Sequence, residues 1–170
     1  MSEQQKNNLK EFQNTMTEIK SMREDQTTFY DIQLGSFGEE NKNTKGITQY
    51  YGYGDLSCKG ENKHLIMVSL NTDKSALTKK GELSHSGFHT LIHELKHCYQ
   101  FYNKELIYIQ SANGGDIKAY NSEDIEMAAF RRGAAFGSID RYNPYLYQNL
   151  PKTKDEFINK YPGCTIIEHK

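Results

Sequence analysis

The sequence predicts a single α+β domain, on three observations. Three segments rich in β-branched and aromatic residues occupy its first half: Thr27 to Leu34, Ile47 to Tyr53 and His64 to Leu70. The run FHTLIHELKHCYQFYNKE, Phe88 to Glu105, has helical apolar spacing. A second helical run, SEDIEMAAFRRGAAFG, starts at the good N-cap residues Asn121 and Ser122.

At 170 residues the chain fits one domain, residues 1–170, large enough to bury a core without staples. Residues 4 to 24 are polar, with Leu9, Phe12, Met16 and Ile19 recurring at three- and four-residue spacing. They predict an amphipathic helix whose apolar stripe lies on the body as a cover. TTFYDIQL closes on Gly35 as a strand, and the polar SFGEENKNTKG that follows is a loop. ITQYYGY and HLIMVSL form an antiparallel pair, and the second, apolar on both faces from Leu65 to Val68, packs inside the domain.

A loop from Asn71 to Ser86 leads into the helix of Phe88 to Glu105, which starts near Ser86 or Gly87, with Ser84 or Ser86 as cap, and ends near Asn103. Its packing side is Phe88, Leu91, Leu95, Cys98 and Tyr102. ELIYIQ reads as a short strand, and Gly114-Gly115 breaks the segment after it. The second helix carries Glu123 and Asp124 in its first turn, complementing the helix dipole, and runs to about Gly137. Asn143-Pro144 and Leu150-Pro151 punctuate a Tyr-rich loop. Thr153 to Glu156 has capping-box spacing for a last short helix, and TIIEHK reads as an edge strand. No repeat, low-complexity tract or interdomain linker interrupts the chain.

Composition excludes several function classes. The balance of 21 Lys and Arg against 22 Asp and Glu, net charge −1, with no basic stripe, argues against nucleic acid as a partner. Cys58, Cys98 and Cys164 are odd in number and lack Cys-x-x-Cys spacing, so they read as reduced, structural thiols. No run of 18 apolar residues exists and MSEQQKNNLK has no apolar signal stretch. The expectation is therefore no membrane partner, and either a cytoplasmic location or export without a cleaved signal.

The chemistry is concentrated in His93-Glu94-Leu95-Lys96-His97, a His-Glu-x-x-His pattern. On a helix, residues i and i+4 share a face, so both imidazoles can reach one Zn2+ ion. Glu94, about 100° round the helix from His93, is placed to act as general base on water at that ion. A catalytic zinc takes three protein ligands and keeps one open position. The second helix offers Glu126, 29 residues after His97, on a run where Phe130 and Gly133 share its face and Ala128, Ala129 and Ala134 permit close approach to a neighbour. Glu123, one turn earlier, is the alternative ligand or a hydrogen-bond acceptor behind a ligand histidine. His85 and His89 extend the four-residue spacing. However, residues eight apart rise about 12 Å, so His89 and His97 cannot bind one ion; His89 could pair with His93 as an alternative ligand, but Glu94 is placed for His93 and His97, so His89 reads as a cleft-rim residue or one that supports a ligand. Tyr120, Tyr145 and Tyr147 are candidate oxyanion donors. Cys58 or Cys164 as a ligand would point to a deformylase-like hydrolase, but neither lies in a ligand motif.

With HELKHCYQFYNKE, Gly114-Gly115 and YNSEDIEMAAFRRGAAFG in view, the segment from about Gly87 to Ser138 resembles the metallopeptidase domains at the C-termini of bacterial RHS-repeat polymorphic toxins. In those domains the motif helix continues as an Ala-Tyr-Gln-Phe-like run. A Tyr-Asp-x-x-Asp-Glu-x-Ala-Ala-Tyr-x-Arg-Gly-like segment follows some forty residues later. Cys98 to Phe101 and Tyr120 to Gly133 take those places here. The resemblance covers about a third of the chain. It implies His93 and His97 as ligands, Glu94 as catalytic acid and base, and Glu126 as the acid before the Ala pair. This chain has Ile125-Glu126 where Asp-Glu is typical, and one more residue after Tyr120, so Asp124 or Glu123 could take the role of that pair's Asp.

The combined expectation is a zincin-like α+β domain. A small mostly antiparallel sheet packs on the His-Glu-x-x-His helix, and a second helix delivers the third ligand in gluzincin-like fashion. The activity would be zinc-dependent hydrolysis of a protein or peptide, with the substrate extended along a sheet edge near His64 to Leu70. The resemblance adds the role of a bacterial toxin or effector and leaves room for an immunity protein as a partner. The alternative is a non-catalytic metal-binding or protein-interaction module.

Overall fold

The computed structural model describes residues 1–55 and 58–170. Thr28–Gly35 (β1), Gly46–Asp55 (β2) and Asn62–Asn71 (β3) form one sheet in the order β1, β3, β2. The central position of β3 explains its two apolar faces: Ile66, Val68 and Leu70 are all buried. β2 is antiparallel to it, with Thr48 opposite Val68, as expected. β1 runs parallel to it, with Thr28 opposite His64. Residues 36–45 carry the chain across to the far edge, and β3 returns between the first two strands.

Tyr108–Gln110 (β4) is the centre of a second sheet, flanked antiparallel by Ile117–Ala119 (β5) and Thr165–Ile167 (β6). The single sheet expected from the sequence is thus two sheets, and three of the four pairings among the described residues are antiparallel. The substrate edge placed at His64 to Leu70 is overturned, because β3 has a neighbour on both sides. The edge strand packed on the motif helix is β2.

Glu3–Glu24 is the first helix, α1, closed by a capping box between Ser2 and Gln5. It lies on the domain, but with a different face inward from the one its apolar spacing predicts. Thr15, Glu18 and Met22 are buried, while Leu9, Phe12, Met16 and Ile19 are exposed by 37% to 70%. Charge decides the orientation. Arg132 binds Glu11 at 2.8 Å and Glu18 at 3.1 Å, and Lys96 binds Glu18 at 3.0 Å. Satisfying these desolvated charges fixes which side turns in.

The motif helix, α2, spans His85–Tyr102, and the Ser84 hydroxyl caps it by accepting from the Gly87 amide. Cys98 and Phe101 point into the core, with Leu91, Leu95 and Tyr102 packed against it. Phe88 does not join them; it is exposed and leans on Phe136 at 5.9 Å between centroids. Glu123–Ala135 (α3), capped by Ser122, packs along α2. Of its small residues, Ala129 and Gly133 are buried and Ala134 faces outward. Pro144–Tyr147 (α4) and Lys154–Asn159 (α5, capped by Thr153) complete the chain. All three cysteines are unpaired, and no described helix is long and apolar enough to cross a membrane.

Candidate metal centre

The site is built where α2, α3 and the start of β2 meet. The i,i+4 spacing puts the His93 and His97 rings on one side of α2, 5.0 Å apart between centroids. Glu126, in the first turns of α3, reaches both. Its Oε1 is 3.4 Å from His97 Nε2 and its Oε2 is 3.7 Å from His93 Nε2. One ligand atom from each of the three lies within 4.8 Å of the others. Ligands of a tetrahedral zinc, each about 2.1 Å from the ion, stand roughly 3.4 Å apart; the two histidine–carboxylate distances are close to this, and the group could hold a metal ion. Gly133 faces α2 at this point, where a Cβ would stand 4.0 Å from the Cβ of His93, in ordinary contact.

Each of the three has a neighbour that orients it. The Gln100 amide donates from Nε2 to the Ile125 carbonyl at 3.0 Å, which turns its Oε1 to His97 Nδ1 at 2.8 Å. An acceptor at Nδ1 keeps the proton there and leaves Nε2 as the free donor atom for a metal. Asn121 donates to Glu126 Oε1 at 3.1 Å. The Phe130 ring stands edge-on to His93 at 4.8 Å. Burial, with His97 nearby, pushes His93 down to about 3, so its imidazole is neutral and able to ligate at ordinary pH.

Glu94 is buried beside the group. Burial raises its pKa above the ordinary carboxylate value, and Glu126 adds to that. His97 and the Thr48 hydroxyl, 2.6 Å from Oε2, act in the opposite direction. β2 comes this close because residue 46 is glycine: a Cβ there would sit 2.5 Å from Thr90 Cγ2 and 3.1 Å from Glu94 Cγ. The result is a carboxylate held beside the candidate ligands with its basicity shifted toward neutrality.

The group opens into a cleft with two lobes of about 360 and 340 Å³, sharing Gly46, His93, Glu94 and Tyr147. Of the candidate oxyanion donors, Tyr147 borders both lobes and Tyr120 borders one, packed on Phe157 at 5.6 Å. Tyr145 is 80% exposed and outside the cleft. Glu123 is exposed at the start of α3 and does not join the group. His89 borders one lobe without joining it either. Thr48, Gln100 and Asn121 have no place in the sequence-level site. Gln100 carried a readable signal, since a carboxamide three residues after a ligand histidine lies on the same helix face.

Comparison with protein families, with characterised proteins and with solved structures finds no match to this chain.

Proposed function

We propose that the chain is a zinc-dependent metallopeptidase of zincin-like architecture. The observation that carries this reading is the convergence of His93, His97 and Glu126 beside a buried, Thr48-held Glu94 at the floor of an open cleft. A zinc ion held by these side chains would supply Lewis acidity that polarises a scissile carbonyl and lowers the pKa of water. Glu94 takes a proton from the attacking water as the C–O bond forms, then delivers it to the leaving nitrogen as the C–N bond breaks. The orientation imposed by Gln100 on His97 and by Asn121 on Glu126 keeps the ligand atoms aimed at one point. A structural site would use a fourth protein ligand; among the described residues no further His, Cys, Asp or Glu joins the three, which favours a catalytic arrangement. β2, the edge strand beside Glu94, is the backbone against which an extended peptide would pair. The sequence resemblance extends the proposal to a bacterial effector that attacks a protein target.

Metal analysis and proteolysis by the wild-type and Glu94→Gln proteins test it. Wild type should bind one zinc and cleave peptide bonds. Glu94→Gln should keep the zinc and lose about 10²- to 10⁴-fold in hydrolysis. Zinc binding without hydrolysis by either protein would leave a non-catalytic metal module.

A further inference from the structure

The cleft is not symmetric in charge about the candidate ligands. Beyond the shared residues, one lobe is walled by Ile47, Leu106, Tyr108, Ala119 and Tyr120, with no charged side chain except Glu94 and Glu126. The other carries Lys45, Asp140 and Arg141. Lys45 Nζ lies 2.8 and 3.0 Å from the two carboxylate oxygens of Asp140. That pair links the loop after α3 to the residue preceding β2, next to Arg141. Among the described residues no carboxylate stands within ion-pair distance of Arg141, which is exposed at the lobe. A guanidinium facing a cleft without an internal partner keeps its planar fork free for an incoming carboxylate. Lys45, half exposed, can share its ammonium between Asp140 and the same anion.

We infer that this lobe receives an acidic side chain of a peptide, Asp or Glu, with Arg141 as the specificity-determining residue, and that the opposite lobe receives an apolar side chain. The inference rests on the peptidase reading and names the substrate class for it. Arg141 is exposed on the loop after α3, and its place at the wall of the cleft lets its charge attract one sign of side chain and repel the other.

The test uses the zinc-loaded full chain and a positional-scanning library of internally quenched peptides. Cleavage should place Asp or Glu on one side of the broken bond and an apolar residue on the other, with acidic peptides favoured about tenfold over their Lys counterparts. Arg141→Glu should turn the charge preference toward Lys and Arg, and Arg141→Lys should keep it acidic, with circular dichroism and zinc content checking that both variants fold. No acidic preference in wild type, or an unchanged preference in Arg141→Glu, overturns the inference. If wild type cleaves nothing, the peptidase reading fails by itself, and the lobe is judged by fluorescence anisotropy with the Glu94→Gln protein. Tighter binding of an acidic peptide than of its Lys counterpart, abolished by adding Arg141→Glu, upholds the lobe's selectivity; equal binding, or none, overturns it.

Discussion

Gln100 Oε1 sits 2.8 Å from His97 Nδ1, and its own amide nitrogen is anchored to the Ile125 carbonyl of the neighbouring helix. The histidine's tautomer is therefore set by α3, the helix that also supplies Glu126. Gln100→Ala should weaken zinc binding by about 10- to 100-fold, the usual cost of losing such a support, while His97→Ala should abolish high-affinity binding. Competition with a chromophoric chelator measures both. Equal affinities for wild type and Gln100→Ala would mean that the hydrogen bond does not orient the ligand.

Thr48 reaches Glu94 from a different element, β2, and its hydroxyl lowers a carboxylate pKa that burial raises. Thr48→Val keeps the shape and removes the donor, so the Glu94 pKa should rise further. A general base must be deprotonated, so the acid limb of the kcat/KM profile should move to higher pH, and activity should fall more at pH 6 than at pH 8. Zinc content should not change. A variant whose whole profile drops uniformly would assign Thr48 a packing role instead.

Gly46 lies where β2 packs on the motif helix too closely to admit a Cβ. Gly46→Ala should destabilise the fold by about 1–3 kcal/mol through overpacking against Thr90. Thr90→Ser removes the obstructing methyl and retains the hydroxyl that bonds the Ser86 carbonyl. The double variant should recover much of the loss in denaturant unfolding, and strict additivity of the two single changes would locate the strain elsewhere.

The difference between what was readable and what was not follows sequence separation. His93, Glu94 and His97 are related by helix geometry, which a sequence displays directly. Glu126 was readable because an acid on a helix of small residues is a recognisable form, although its distance to the histidines depends on how α2 and α3 pack. Thr48 comes from a strand whose proximity to the site no local pattern records, whereas Asn121 stands only five residues before Glu126 and bonds it locally. The parallel pairing of β1 depends on where residues 36–45 cross, and polar loop residues do not encode that. For α1, helical spacing identified the helix, but its rotation about its own axis was set by Arg132, more than a hundred residues away.

That dependence of α1 on charge gives a further expectation. Arg132 is almost wholly buried between Glu11 and Glu18. Arg132→Met should cost about 3 kcal/mol because it leaves Glu11 without a cation and Glu18 with Lys96 alone. Replacing Glu11 by Leu in the same protein should return part of that loss, because among the described residues Arg132 is the cation that pairs with it, whereas Glu18 is still needed by Lys96. Chemical unfolding of the two variants separates a required ion pair from simple volume.

Asp25, at the junction of α1 and β1, fastens the segment after β6 to the start of the first sheet. Its Oδ1 accepts from the Thr27 amide at 2.8 Å and the Thr27 hydroxyl at 2.7 Å; its Oδ2 accepts from Tyr30 at 2.9 Å and from His169 Nε2 at 2.6 Å. Burial alone would raise the Asp25 pKa, but the bonds from Thr27, His169 and Tyr30 together outweigh it and hold it below the ordinary 3.8. A carboxylate whose folded-state pKa is depressed contributes stability that is present above its unfolded value, about 3.9, and is lost as pH falls through the lower folded value. Asp25→Asn should therefore unfold at a lower temperature than wild type from neutral pH down to about pH 5. The gap should narrow below about pH 4, where protonation gives the wild type an equally uncharged group. Thermal unfolding followed by circular dichroism across this range tests the sign. A gap of constant size down to the acid end would show that Asp25 acts through the shape of its hydrogen bonds and not through its charge.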